Sequence, residues 1–69
     1  MSSEEDPKEL ARLERLMARL GERQDELHRA MSESATDHVR VAELDEQLRR
    51  VSAEKMTAEE AWLELAVDS

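Results

Sequence analysis

The sequence has no cysteine, tyrosine or phenylalanine, and only one glycine, one proline and one tryptophan among 69 residues. Without cysteine, the chain can form neither a disulfide framework nor a thiolate zinc site. Phosphate-binding loops and the nucleophile elbow of hydrolases each need more than one glycine, so both are excluded. The near absence of aromatic residues removes the usual material of a globular core. We therefore expect neither nucleotide chemistry nor an ordinary globular domain.

Long apolar runs are also missing. No stretch approaches the roughly 20 apolar residues that span a bilayer, and no signal-peptide pattern opens the chain. Charged residues make up 41% of the sequence, and we expect a cytoplasmic protein without membrane contact. The formal net charge of −8 disfavours a chain whose main task is to neutralise phosphates, although the distribution of charge matters as well as its total.

Two apolar stripes with heptad spacing dominate the sequence. Their members recur at alternating steps of three and four, which places each set along one side of a helix. The first stripe consists of Leu10, Leu13, Met17, Leu20, Gln24, Leu27 and Met31. The second consists of Val41, Leu44, Leu48, Val51, Lys55, Ala58, Trp62 and Leu65. The short polar residues between them, 32–38, compete with helix by bonding backbone groups locally. The pattern predicts an all-α fold, an antiparallel two-helix coiled-coil hairpin.

The predicted boundaries follow from these stripes. Residues 1–5 are expected to form a disordered acidic tail and residues 6–67 the hairpin. Within it, the first helix is predicted over about 7–31, the turn over about 32–36 and the second helix over about 37–66. A chain this short buries little surface, so a partner or a parent protein is expected.

Local signals support both helix starts. Asp6, Pro7 and Glu9 supply an acidic N-cap, proline at the first helical position and a capping-box glutamate. For the second helix, Thr36 is predicted as the cap, with Asp37 adding negative charge to the first turn. A capping box from residues 34 and 37 is the alternative.

Pairing residues whose numbers sum to 75 brings the two stripes into register. The resulting layers are Leu10 with Leu65, Leu13 with Trp62, Met17 with Ala58, Leu20 with Lys55, Gln24 with Val51, Leu27 with Leu48, and Met31 with Leu44. The flanking pairs expected in this register are Arg23 with Glu54, His28 with Asp45, Glu14 with Glu59, and Glu9 with Asp68, with Gly21 beside Ser52. Lys55 is expected to extend its ammonium group to water over its own aliphatic stem.

Enzyme chemistry is not expected. His28 and His38 are the only imidazoles, and solvated positions on the helix flanks explain them better than a metal site does. Paired carboxylates such as Glu59 and Glu60 need a cleft to separate their pKa values, and two helices offer none.

Several segments resemble a known family. They are Ala35-Thr36-Asp37-His38 after a heptad helix, Leu44-Asp45-Glu46-Gln47-Leu48, Ala53-Glu54-Lys55, and Glu59-Glu60-Ala61-Trp62-Leu63-Glu64-Leu65. Together they look like the C-terminal coiled-coil domain of ABC-F ATPases, soluble ABC proteins with two nucleotide-binding domains and no membrane span. The resemblance implies a non-catalytic helical hairpin that acts beside the ribosome or on nucleic acid. It implies no cofactor in this chain, with ATP and magnesium bound by the ATPase domains of the parent protein.

One surface favours a nucleic-acid contact. Lys8, Arg12, Arg15 and Arg19 fall at heptad positions f, c, f and c, and Arg23 extends their edge. A solvated face whose charges support each other along the helix is the alternative for these residues. No aromatic residue is near enough to stack on bases, so sequence readout is not expected.

At the turn, His38 and Arg40 are further candidate contacts. The competing function is a protein-interaction or dimerisation coiled coil with no nucleic-acid role, which leaves open a weak homodimer.

Overall fold

The computed structural model describes residues 5–68 and consists of two helices. Helix α1 spans Glu5–Glu33 and helix α2 spans His38–Asp68. They lie side by side and antiparallel, in a rod whose Cα atoms extend over 53 × 14 × 13 Å. The described residues contain no strand. The predicted all-α helical hairpin is confirmed.

Helix α1 begins ahead of the predicted start. Glu5 is already helical, and Pro7 lies in the first turn, where a missing N–H costs little because the first amides have no intrahelical acceptor. Residues 1–4 of the predicted tail lie outside the described residues, as do the side chain of Asp6 and its predicted cap. At its other end α1 continues to Glu33, and α2 continues to Asp68, so both helices run beyond the predicted ends.

The turn closes through two backbone hydrogen bonds. Ser34 N donates to the carbonyl oxygen of Ala30 at 3.0 Å, and Asp37 N donates to that of Ser34 at 2.8 Å. The first bond prolongs the α1 pattern by one residue, and the second bends the chain toward α2. Both use backbone groups that the helix ends would otherwise leave without partners.

Asp37 is the N-cap of α2. Its Oδ1 accepts a hydrogen bond from Arg40 N at 3.1 Å, and its carbonyl oxygen accepts one from Val41 N at 2.9 Å. The prediction of Thr36 as the cap is therefore wrong. Because α1 extends to Glu33, the turn is displaced along the chain and brings the carboxylate of Asp37 over the first free amides.

The core is a single line of side chains between the helices. Its buried members are Leu13, Leu20, Leu27, Leu44 and Ala58, all of which belong to the two predicted stripes. The remaining stripe residues that the structure describes are partly exposed. Two helices can cover each other on one side only, so a thin core is the geometric consequence of this fold.

Two hydrogen bonds between the helices report the register. Trp62 Nε1 donates to Glu14 Oε1 at 3.1 Å, and Gln24 Nε2 donates to Ser52 Oγ at 3.0 Å. Glu14 directly follows Leu13, the predicted layer partner of Trp62. Ser52 likewise follows Val51, the predicted layer partner of Gln24. Both contacts thus agree with layers whose residue numbers sum to 75.

The flank of the hairpin corrects one predicted ion pair. Arg23 was expected to face Glu54, but its guanidinium donates to Glu26 Oε2 at 3.1 Å and to Gln47 Oε1 at 3.1 Å. Glu26 lies on the same helix three residues later, a spacing that brings the two side chains together at little entropic cost. Gln47 lies one heptad nearer to the turn than Glu54.

A second flanking prediction also gives way to a partner on the same helix. Asp45 pairs with Arg49 on its own helix, with 3.0 Å between Oδ2 and Nε, rather than with His28. Glu14 accepts the hydrogen bond from Trp62 across the hairpin and lines the same surface depression as Glu59, its predicted neighbour. Exposed ion pairs contribute roughly 0 to 1 kcal/mol, so short-range geometry decides among competing partners.

Gly21 faces Lys55 rather than Ser52. A Cβ at position 21 would lie 4.0 Å from both Cε and Nζ of Lys55, which is ordinary van der Waals contact. The Lys55 side chain is 33% exposed, and its Nζ lies 3.8 Å from Glu59 Oε1. These values fit the expected arrangement, in which the partner helix covers the aliphatic stem and the ammonium group lies at the surface.

Replacing Gly21 with alanine should stabilise the hairpin by about 1 kcal/mol. The backbone there is helical with no positive φ, and alanine restricts the unfolded chain without a clash. Urea unfolding should show a higher midpoint with an unchanged slope. As a control, Ala18→Gly at an exposed position of the same helix should lower the midpoint by a similar amount. A loss of stability in Gly21→Ala would contradict the packing described here.

Candidate nucleic-acid interface

The predicted basic surface lies on the outer side of α1. We call it the basic stripe, and all its members are exposed: Lys8, Arg12, Arg15, Arg19 and Arg23. The stripe covers roughly 22 Å of helix at 1.5 Å per residue. From Lys8 to Arg19 it points away from the line that contains Leu13 and Leu20, and only Arg23 at its end reaches α2, through Gln47.

The cations of the basic stripe differ in their partners. Arg12 forms a bidentate pair with Glu9, in which its Nε donates to Oε2 at 3.3 Å. The hydrogen bond to Arg12 lowers the pKa of the Glu9 carboxyl below its usual value and raises that of the guanidinium. Arg23 is engaged by Glu26 and Gln47, as described above.

Lys8, Arg15 and Arg19 carry the free positive charge of the stripe. None of the three forms an ion pair with a side chain that the structure describes. A phosphate approaching Arg15 or Arg19 thus has no carboxylate to displace. These two adjacent cations are the best placed of the predicted residues to bind an anion.

The end of the stripe near Arg23 is less favourable for anions. A surface depression of about 450 Å³ lies there, and its lining consists of Leu16, Arg19, Leu20, Glu22, Arg23 and Glu26. The carboxylates of Glu22 and Glu26 oppose the neighbouring guanidinium groups. Any phosphate contact is expected between Lys8 and Arg19, on the half of α1 away from the turn.

The structure does not bring the turn candidates to this surface. His38 is the first residue of α2, and Arg40 follows two residues later with its Nη1 3.6 Å from Glu43 Oε2. Both are exposed. From Arg19 to the end of α1 the helix rises roughly 21 Å, so the two groups form separate patches at different places on the rod.

Sequence reasoning missed an apolar surface on the outer side of α2. Met56, Leu63 and Val67 are 62%, 54% and 80% exposed, in contrast to the buried Leu44 and Ala58 of the same helix. They occupy heptad positions b and f, which a coiled coil ordinarily gives to polar residues. Apolar residues at those positions were the signal that could have revealed this surface.

The described residues show neither a metal site nor a membrane span. Between residues 5 and 68, no group of three or more His, Cys, Asp or Glu side chains could hold a metal ion, and His28 and His38 are both exposed. Over that same range, neither helix has a segment that is apolar enough, at the necessary length, to cross a bilayer.

Comparison with known protein families identifies a match to this chain. The family model for the ABC transporter C-terminal domain matches residues 2–66, which is almost the whole chain. No curated protein and no solved structure matches this sequence.

Proposed function

Because this chain belongs to the ABC transporter C-terminal domain family, we propose that it serves an ABC-F-type ATPase as a non-catalytic arm that contacts ribosomal RNA or DNA. The family match makes the chain an accessory domain of an ABC protein. The finer assignment is supported by the resemblance at the turn, Ala35 to His38, and at residues 59–65. In this proposal ATP and magnesium bind to the parent ATPase domains, which are cytoplasmic, and the hairpin follows their motion.

The observation that carries the proposal is the row of unpaired cations on α1. Lys8, Arg15 and Arg19 are exposed on one side of a helix and have no carboxylate partner among the described side chains. Point charges of this kind bind phosphate oxygens without reading sequence. The net charge of −8 repels a polyanion, so binding by this domain alone should be weak and should depend on the ATPase domains for position.

The hairpin is suited to act as an arm because its two helices support each other along their length. The core line joins them from Leu13 to Leu44, and hydrogen bonds tie Trp62 to Glu14 and Gln24 to Ser52. A motion applied at the open end, where α1 begins and α2 ends, is therefore transmitted to the turn. The basic stripe lies on the half nearer to the open end.

The exposed apolar residues of α2 favour a second candidate function. Met56, Leu63 and Val67 would suit a protein-interaction module that contacts no nucleic acid. The two candidates differ in their response to salt, since phosphate contacts release counterions and apolar contacts do not.

Binding to a hairpin RNA and to a DNA duplex should weaken steeply as salt rises. If all four cations from Lys8 to Arg19 touch phosphates, the slope of log K against log salt on the duplex should be about −3 to −4. Fluorescence anisotropy at increasing salt measures this slope directly. Binding that is indifferent to salt, or no binding at the lowest salt, would refute the nucleic-acid proposal and leave the interaction module.

A further inference from the structure

The outer side of α2 carries a surface that the proposed function does not use. We call it the acidic–apolar stripe, and its members are Met56, Glu60, Leu63, Glu64 and Val67, all of them exposed. Glu60 and Glu64 form no ion pair with the side chains that the structure describes. They lie four residues apart, so each repels the other on the free helix. A basic and partly apolar partner would relieve this repulsion and cover the apolar side chains.

The basic stripe of α1 has the matching chemistry and the matching spacing. Its cations at positions 8, 12, 15 and 19 are separated by four, three and four residues, as are positions 56, 60, 63 and 67 of α2. Both stripes therefore extend over about 16 Å of helix. Arginine and lysine stems can cover apolar side chains while their charged ends reach carboxylates beside them.

Small and large apolar residues are also complementary between the two stripes. Ala11 and Ala18 lie beside the cations of α1, seven residues apart, and Ala18 is exposed. Met56 and Leu63 on α2 are likewise seven residues apart, and both protrude into solvent. Where large residues on one helix face small ones on another, two helices can approach closely.

We propose that a second copy of this chain covers the acidic–apolar stripe with its own basic stripe. Within one chain the two stripes cannot meet, because both lie on outer sides, away from the buried line of Leu13 and Ala58. Because the two stripes point in opposite directions from the rod, the contact is head-to-tail: the α1 of one copy lies on the α2 of the next, and further copies can add at either end. This inference does not require nucleic-acid binding, but the basic stripe serves only one partner at a time.

Sedimentation equilibrium of the intact chain tests the proposal. At rising concentration the average mass should increase from the 8.0 kDa of one chain and continue beyond twice that value, since each added copy leaves one stripe of each kind uncovered. A chain that stays monomeric at every concentration overturns the inference and leaves the nucleic-acid proposal untouched.

A charge exchange identifies the surfaces that pair. One variant reverses the α1 cations, with Arg12→Glu, Arg15→Glu and Arg19→Glu, and the other reverses the α2 acids, with Glu60→Lys and Glu64→Lys. Each variant alone should be monomeric, whereas an equimolar mixture should associate, because a cationic stripe then meets an acidic one at every contact. Both variants remain net negative, so attraction between oppositely charged molecules cannot explain association of the mixture.

Every other outcome overturns this pairing. Association that survives in either variant alone, or an average mass of the unmodified chain that stops at twice that of one copy, would point to a different interface, such as an exchange of the apolar line between copies. Two monomeric variants that stay apart when mixed would show that the stripes do not bind each other. Circular dichroism establishes first that both variants are helical. RNA binding by the α2 variant, which keeps the basic stripe, separates a failure of self-association from a failure of the proposed function.

Discussion

Replacing Leu27 with alanine is expected to lower the free energy of unfolding by about 2 to 5 kcal/mol. Leu27 is 1% exposed and belongs to the single buried line of this hairpin, so few neighbours can move in to fill the cavity. A chain of this size has a total stability of only a few kcal/mol, and the variant should be largely unfolded at 25 °C. Far-UV circular dichroism during urea unfolding measures the change.

Leu63→Ala provides the matched control. It removes the same atoms from a side chain that is 54% exposed on the outer side of α2, and should cost less than about 1 kcal/mol. Both variants are compared at a concentration low enough to keep the chain monomeric. Equal losses in the two variants would mean that the buried line described here does not hold the helices together.

The heptad pattern predicted the fold because it reports which side of each helix is covered. Leu13, Leu20, Leu27, Leu44 and Ala58 were all members of the predicted stripes, and the structure buries all five. The burial of apolar side chains is the largest favourable term in folding, so the pattern that encodes it is the most reliable one in the sequence.

Smaller energies decided what the sequence could not predict. Asp37 rather than Thr36 caps α2, because the position of the cap depends on where α1 ends, and Glu33 extends that helix. Arg23 forms its ion pair with Glu26 and not with Glu54 of the other helix, since the possible ion pairs of an exposed guanidinium differ little in energy. Neither difference is visible in the spacing of apolar residues.

The candidate interface was predictable in its position and not in its detail. Helical spacing alone places Arg15 and Arg19 on the outer side of α1, where the structure has them. Which cations are free depends on local pairs such as Arg12 with Glu9, and these require side-chain geometry. The apolar members of the acidic–apolar stripe, Met56, Leu63 and Val67, were missed because the heptad pattern was read at the a and d positions and the other positions were treated as solvated.

Reversing the charge of the basic stripe should reduce nucleic-acid affinity at low salt by about tenfold or more. The variant Arg12→Glu, Arg15→Glu, Arg19→Glu removes three phosphate contacts and replaces them with repulsion. Each lost contact should reduce the magnitude of the salt slope by about one unit, without altering the preference among sequences. Helicity should be retained, because the three side chains are exposed on the outer side of α1.

The chain offers a control with the same net charge. The variant Arg29→Glu, Arg49→Glu, Arg50→Glu reverses three exposed cations that lie outside the basic stripe. Arg49 and Arg50 pair with Asp45 and Glu46 on their own helix, so this variant also needs a check of its helicity. Any loss of binding that comes only from total charge appears equally in both variants.

The most direct test of the account is therefore the anisotropy of a labelled hairpin RNA titrated at low salt with the unmodified chain and the two reversed variants. We expect the control to bind more tightly than the stripe variant and to retain a steeper dependence on salt. Equal binding by the two reversed variants would contradict a role for the basic stripe, and would leave His38 and Arg40 at the turn, or a protein partner, as the contacts of this domain.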